Sequence, residues 1–195
     1  AHISTAEGVA RIRAAKEAGL RVTCDTAPPY FALNELAVGE YRTFAKLAPP
    51  LRSEDDRQAI VEGLADGTID CIASDHFPQD QESKRLPFEL AEFGSSGLET
   101  LLALTLELVH NEHVSLSEAL GKVTAAPSRL LDLPTGRLYA GAPADLVIFD
   151  PDKPARIEPD TFISKSKNSP FDGRLVQGQV IRTVVDGRTI YTADD

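Results

Sequence analysis

Methionine is absent from all 195 residues, and cysteine occurs only twice. Average usage would place roughly four methionines in a chain of this length, and a gene product needs an initiator. The chain therefore reads as the carboxyl-terminal part of a larger polypeptide, and any active site on it is expected to be incomplete. Cys24 and Cys71 both lie in apolar, strand-like runs, which favours buried free thiols in a reducing cytosol over a disulfide. Positive charge is scarce as well: 20 Lys and Arg stand against 30 Asp and Glu, a net charge of −10. That balance argues against a nucleic-acid surface, which needs clustered Lys and Arg. Long apolar runs are missing too. None approaches the ~20 residues of a membrane span, no signal peptide is visible, and a cytoplasmic location is expected. What is present is 42% hydrophobic residues, enough to bury a good core in one or two domains.

The most informative stretch is Ser74-Asp75-His76-Phe77-Pro78, directly after the apolar run Ile69-Asp70-Cys71-Ile72-Ala73. A buried strand that stops on an acidic residue delivers a carboxylate to the carboxyl-end rim of a sheet or barrel, where α/β enzymes do their chemistry. His76 follows on the opposite face if strand geometry persists, so it is expected to pack or to support a neighbouring site residue from behind.

Elements alternate along the first part of the chain. Ser4-x-x-Glu7 reads as a capping box, Val9, Ile12 and Ala15 recur at helical spacing, and Gly19 supplies the stop. A strand over Leu20–Cys24 and a Pro-rich loop, Ala27-Pro28-Pro29-Tyr30, follow. Ser53 with Glu54, Asp55 and Asp56 opens a helix, its acidic residues suited to the positive end of the dipole. Its stripe holds Ile60, Val61 and Leu64, Asp66-Gly67 ends it, and strand Ile69–Ala73 comes next. This is the grammar of a parallel α/β fold.

Ser74 to Gly97 has little regular pattern, and a loop of that length is either mobile or functional. Lys84 and Arg85 within it read as part of a mixed, solvated surface. Leu98–Val109 is apolar nearly all round, which predicts a buried helix, and Ser115–Val123 and Ser128–Leu131 follow, separated by Pro127. His110 and His113 close a helix where imidazolium suits the negative end. Arg52 reads as a surface ion-pair partner. From Gly136 the texture becomes antiparallel β: Ala144–Asp150, then Val180–Val185 and Thr189–Tyr191 about the turn Asp186-Gly187-Arg188.

Taken together, His2-Ile3-Ser4-Thr5, Val22-Thr23-Cys24-Asp25-Thr26-Ala27-Pro28, Pro49-Pro50-Leu51-Arg52-Ser53, the Ile69–His76 run, Gly97-Leu98-Glu99-Thr100, Ala144–Asp150 and Lys167-Asn168-Ser169-Pro170-Phe171 resemble the second half of a dihydroorotase of the amidohydrolase superfamily. The resemblance implies an α/β fold, the later part of a (β/α)₈ TIM barrel over residues 1–135, with a small antiparallel β side domain over 136–195. It implies zinc, one or two ions, at the carboxyl rim, and reversible hydrolysis of dihydroorotate to N-carbamoyl-aspartate in pyrimidine synthesis. Asp75 would then be both metal ligand and general base, His2 a metal ligand, and Gln79, Phe93 and Gly94 substrate contacts. The partners it implies are a small-molecule substrate, the amino-terminal half of the same protein, further copies of the chain, and aspartate transcarbamoylase.

The chain departs from the family pattern in three places. Pro28-Pro29-Tyr30 stands where the family usually has Pro-His-His with a metal-binding His, and proline cannot coordinate zinc. Gln79 replaces a substrate-contacting His; it donates a hydrogen bond but carries no charge. Ala48 stands where an asparagine often precedes Pro-Pro-Leu-Arg. These departures leave three readings: a single-metal dihydroorotase, a catalytically silent structural partner of aspartate transcarbamoylase, and another cyclic-amide hydrolase such as a hydantoinase or allantoinase.

Overall fold

A computed structural model describes residues 1–193. Helix α1 (Ala6–Glu17) is capped by Thr5, whose side chain accepts from the Gly8 amide at 3.0 Å. The expected cap at Ser4 is thus displaced by one residue. Glu7 does not close a box: its carboxylate takes the guanidinium of Arg11 one turn on, at 2.9 Å from Nε. Helix α3 (Glu54–Ala65) starts as its sequence predicts. Ser53 accepts from the Asp56 amide at 3.2 Å, three acidic residues fill the first turn, and Gly67 follows the last.

The parallel pairing is shorter than the apolar runs suggest. Strand β1 is Asp25–Thr26 and β2 is Cys71–Ile72, in parallel register Asp25 to Cys71 and Thr26 to Ile72. The predicted strand Leu20–Cys24 forms no ladder. Leu20 is solvent-exposed, and the Cys24 amide donates to the Asp70 side chain at 2.8 Å, so a carboxylate stands in for a neighbouring carbonyl. Both thiols are free and buried, and burial pushes each above the usual thiol range. Between the two strands lie α2 (Pro28–Ala32) and α3.

Behind the pair sits the main core: Val9, Phe31, Ile60, Val61, Leu64, Ile69, Ile72, Leu108, Val114 and Ala119. Helix α4 (Gln81–Lys84) is one turn inside the 74–97 connection, α5 is Leu101–His110, α6 Leu116–Val123 and α7 Ala125–Leu130. Pro127 lies inside α7 rather than before it, at a first-turn position whose amide would lack an intrahelical partner in any case.

The carboxyl-terminal sheet is antiparallel, in the order β3 (Leu146–Arg156), β4 (Leu175–Val185), β5 (Arg188–Thr192). β3 runs past the predicted Asp150 because register shifts absorb Pro151 and Pro154. Asp186 and Gly187, at φ +49° and +73°, make the mirror-image turn that matches strand twist. Leu104 of α5 joins Ile157, Phe171 and Val176 in a second core, and Glu107 pairs bidentately with Arg174 at 2.8 Å. This seam fixes the sheet to the helical part. No helix among the described residues is long and apolar enough to cross a membrane.

Lys84, expected in solvent, is fully buried. Its Nζ donates to the carbonyls of Lys46 (3.2 Å) and Glu92 (2.7 Å), while Lys46 Nζ donates to those of Phe88, Glu89 and Ala91. Burial, and then the Lys46 charge, pull Lys84 down to about 8. The 84–94 segment wraps two ammonium groups because its carbonyls, lacking a ladder, converge on them.

Candidate active site

The first residues of the chain lie along β1. The Ile3 amide donates to the Asp25 carbonyl at 2.8 Å, and the Thr26 hydroxyl donates to the Ile3 carbonyl at 2.8 Å. This pairing sets His2 beside Asp25. One carboxylate oxygen of Asp25 receives both the His2 backbone amide and ring Nδ1, each at 2.7 Å. A carboxylate only accepts, so Nδ1 carries the hydrogen, and Nε2 is the ring nitrogen left for a second contact. Nε2 faces Asp75 Oδ1 at 3.5 Å.

Asp75 reaches that point from the end of β2. The Ala73 amide still donates to the Thr26 carbonyl at 2.8 Å, after which the chain turns. His2 and Asp75 both adopt positive φ, +56° and +47°, a conformation uncommon for residues with a Cβ and concentrated at functional sites. On the far side of Asp75, Oδ2 lies 3.2 Å from the Tyr30 hydroxyl, which is also 3.0 Å from the Pro49 carbonyl. Burial, then the neighbouring Asp75 charge, push the phenol far above its ordinary value, so it stays a neutral donor.

His76 takes the packing role expected of it. Its Nδ1 accepts from the Gly97 amide at 3.1 Å, and the Phe77 amide donates to the Ser95 carbonyl at 2.8 Å. Gly97 is required by this closeness: a Cβ there would sit 2.2 Å from the Ser74 carbonyl oxygen. Gln79 and Gly94 are joined through a buried side chain whose role the sequence did not assign. Asn168 Oδ1 accepts from the Gln79 amide at 3.2 Å while its Nδ2 donates to the Gly94 carbonyl at 2.9 Å. Gln79 also lines a surface cavity of about 580 Å³ with Phe44, Lys165 and Asn168, which neither His2 nor Asp75 lines. Phe93 is half-exposed, its ring 4.6 Å from Lys46 Nζ. Arg52 makes no ion pair within 4 Å among the described residues. His110 sits 3.6 Å from Asp152, away from the site.

The structure thus brings His2 and Asp75 together and ties Gln79 to Gly94. Asp25 is the functional residue the sequence concealed; its one signal was an acidic residue at the end of an apolar run, the same signal that pointed to Asp75.

As metal donors, His2 and Asp75 fit half a centre. Ligands 2.0–2.1 Å from a tetrahedral zinc stand about 3.3 Å apart, close to the 3.5 Å seen. The Asp25–His2 bond is the outer contact that fixes a ligating imidazole. Among the described residues no group of three or more His, Cys, Asp or Glu could hold a metal ion. A catalytic zinc takes three protein ligands, and this pair would supply two of them.

Comparison with known proteins places the geometry in context. The amidohydrolase family profile matches residues 2–190. The chain is 52% identical over 193 residues to a dihydroorotase of Anaplasma phagocytophilum, covering 99% of this chain and 43% of that protein. It is 51% identical over 191 residues to a dihydroorotase of Desulforapulum autotrophicum, covering 98% of this chain and 45% of that one. Among solved structures, L-hydantoinase (dihydropyrimidinase) from Arthrobacter aurescens superimposes with a TM-score of 0.91 at 32% identity, over 98% of this chain and 44% of its own. Dihydropyrimidinase from Brevibacillus agri NCHU1002 gives 0.92 at 26% identity, over 98% and 44%. The chain spans less than half the length of these relatives.

Proposed function

The chain belongs to the amidohydrolase family, and from that premise we propose that it carries the later part of a dihydroorotase. Residues 1–135 supply the later strands and helices of a (β/α)₈ barrel, and residues 136–195 supply a β-rich side domain. The reaction is reversible hydrolysis of dihydroorotate to N-carbamoyl-aspartate, in the cytoplasm. The observation that carries this reading is the His2–Asp75 approach at 3.5 Å, with His2 fixed from behind by Asp25.

Zinc, when bound, would polarise the ring carbonyl and lower the pKa of a water towards ~7. The chain's own residues do the rest. Asp25 holds His2 with Nε2 facing Asp75. Asp75 Oδ1 accepts the proton released as water attacks the cyclic amide and returns it to the leaving nitrogen. Gln79 and the backbone at Phe93 and Gly94 orient the anionic substrate, held in register by Asn168. The complete protein should hydrolyse dihydroorotate in a zinc-dependent manner, and Asp75→Asn should lower kcat at least ~100-fold, the low end for a general base. Full activity in Asp75→Asn removes the mechanism.

One observation favours a second reading, a metal-free structural partner of aspartate transcarbamoylase: the Tyr30 hydroxyl sits on Asp75, within the Pro28-Pro29-Tyr30 stretch that stands where the resembled family has Pro-His-His. Complete protein that lacks zinc and turnover yet co-purifies with the transcarbamoylase establishes that reading; stoichiometric zinc removes it.

A further inference from the structure

We infer that Lys46 and Lys84 are positioning residues: buried beneath the 84–94 segment, they turn the Phe93 backbone amide and carbonyl outward to meet a ligand. The inference rests on the dihydroorotase reading above, in which that ligand is dihydroorotate, and deepens it. Three of the four residues from Ala91 to Gly94 spend both backbone groups inside the protein. The Ala91 amide donates to the Pro87 carbonyl at 2.9 Å, and the Ala91 carbonyl accepts from Lys46 Nζ at 2.6 Å. The Glu92 amide donates to the Ser83 carbonyl at 3.3 Å, and the Glu92 carbonyl accepts from Lys84 Nζ at 2.7 Å. The Gly94 amide donates to the Lys46 carbonyl at 3.1 Å, and the Gly94 carbonyl accepts from Asn168 Nδ2 at 2.9 Å. Phe93 alone of the four has neither backbone group bonded among the described residues.

Peptide geometry turns that inventory into a direction. In a planar trans peptide the carbonyl and the N–H point opposite ways, and both peptides of Phe93 are trans. The Glu92 carbonyl points at the buried Lys84 ammonium, so the Phe93 N–H points away from it. The Gly94 N–H points at the Lys46 carbonyl, which Lys84 Nζ also reaches at 3.2 Å, so the Phe93 carbonyl points away as well. The two lysines thus aim one donor and one acceptor by holding the groups on either side. Gly94 fixes the exit from the segment: it sits at φ +113°, and a Cβ there would lie 2.4 Å from the Phe77 carbonyl oxygen. The Phe93 ring lies over Lys46 Nζ, a cation–π contact that anchors the side chain while the backbone stays open. Neither ammonium has a carboxylate within 4 Å among the described residues. Positive charge therefore remains beneath the open groups and favours an anionic ligand.

The test uses the full-length protein that carries this chain, with amide hydrogen exchange read residue by residue and dihydroorotate kinetics on the same samples. In the unaltered protein the Phe93 amide should exchange at least ~100-fold faster than the Gly94 amide, and dihydroorotate should slow Phe93. Lys84→Met should release the Glu92 and Gly94 amides and raise KM about 10-fold while kcat changes less than about 2-fold, the split expected when a contact made alike in ground and transition states is lost. A merely structural lysine would leave KM where it was. Lys46→Met, which frees the Ala91 carbonyl instead, should give the same split and serves as the second variant should Lys84→Met fail to fold. Equal protection of Phe93 and Gly94 in the unaltered protein overturns the inference without any variant. So does a folded Lys84→Met protein with KM and Gly94 protection unchanged; either result leaves the dihydroorotase reading standing. No turnover and no effect of dihydroorotate on Phe93, with the exchange contrast present and lost in Lys84→Met, overturns that reading and leaves the aiming role of the lysines.

Discussion

The helical part and the carboxyl-terminal sheet are held by different means. Around β1 and β2 the ladder is only two residues long on each side, and the structure is secured by packed side chains and by side-chain groups that replace ladder bonds. Asp70 bonds the Cys24 amide, Asp25 bonds the His2 amide, and two buried lysines gather the carbonyls of the 84–94 segment. In the sheet the reverse holds. β3 and β4 are eleven residues each, joined by a long antiparallel ladder, yet Val147, Ile148, Ile181, Ile190 and Tyr191 are largely exposed. Where precise groups must be aimed, this protein spends side chains; where a surface must be spanned, it spends backbone.

That contrast is open to direct challenge. The largest effect should come at the seam: Leu104→Ala removes a fully buried side chain from the core shared with Ile157, Phe171 and Val176. It should destabilise by about 4 kcal/mol in chemical unfolding. A smaller and pH-dependent effect belongs to the helical part. The folded value of Lys84 lies at about 8, below its ordinary 10.5. The unfolded chain thus binds more protons between those two values, and stability should climb with pH across that window by on the order of 2 kcal/mol. The gain is complete above 10.5 and is lost as pH falls through 8. Lys84→Met should flatten that slope, as read from urea midpoints at successive pH values. The smallest effect should fall on the sheet: Gly187→Ala strains a turn residue at φ +73° and should cost about 1 kcal/mol. A turn substitution costing more than Leu104→Ala would reverse the comparison.

Much of the frame was legible in the residues, and what was not has physical reasons. The Ser53 cap, the Asp186-Gly187 turn and the carboxylate after Ile72 each follow from local chemistry that needs few partners. The shift of the α1 cap from Ser4 to Thr5 is a choice between two adjacent hydroxyls, decided only by where the Gly8 amide arrives. Lys84 misled because charge implies solvent, while its burial depends on carbonyls from Lys46 and Glu92. Asp25 and Asn168 act across 23 and 74 to 89 residues of chain, beyond any local pattern. The Asp75 carboxylate was visible; the groups that aim it and its partner were not.

The left-handed backbone at His2 and Asp75 has a consequence for how such a protein ages in evolution. Glycine would relax the main chain at either position and remove the donor in the same step, so conformational comfort and chemistry pull these two codons in opposite directions. Were the proposed chemistry no longer selected, drift should ease these two sites first and leave the surrounding core of helices and paired strands untouched.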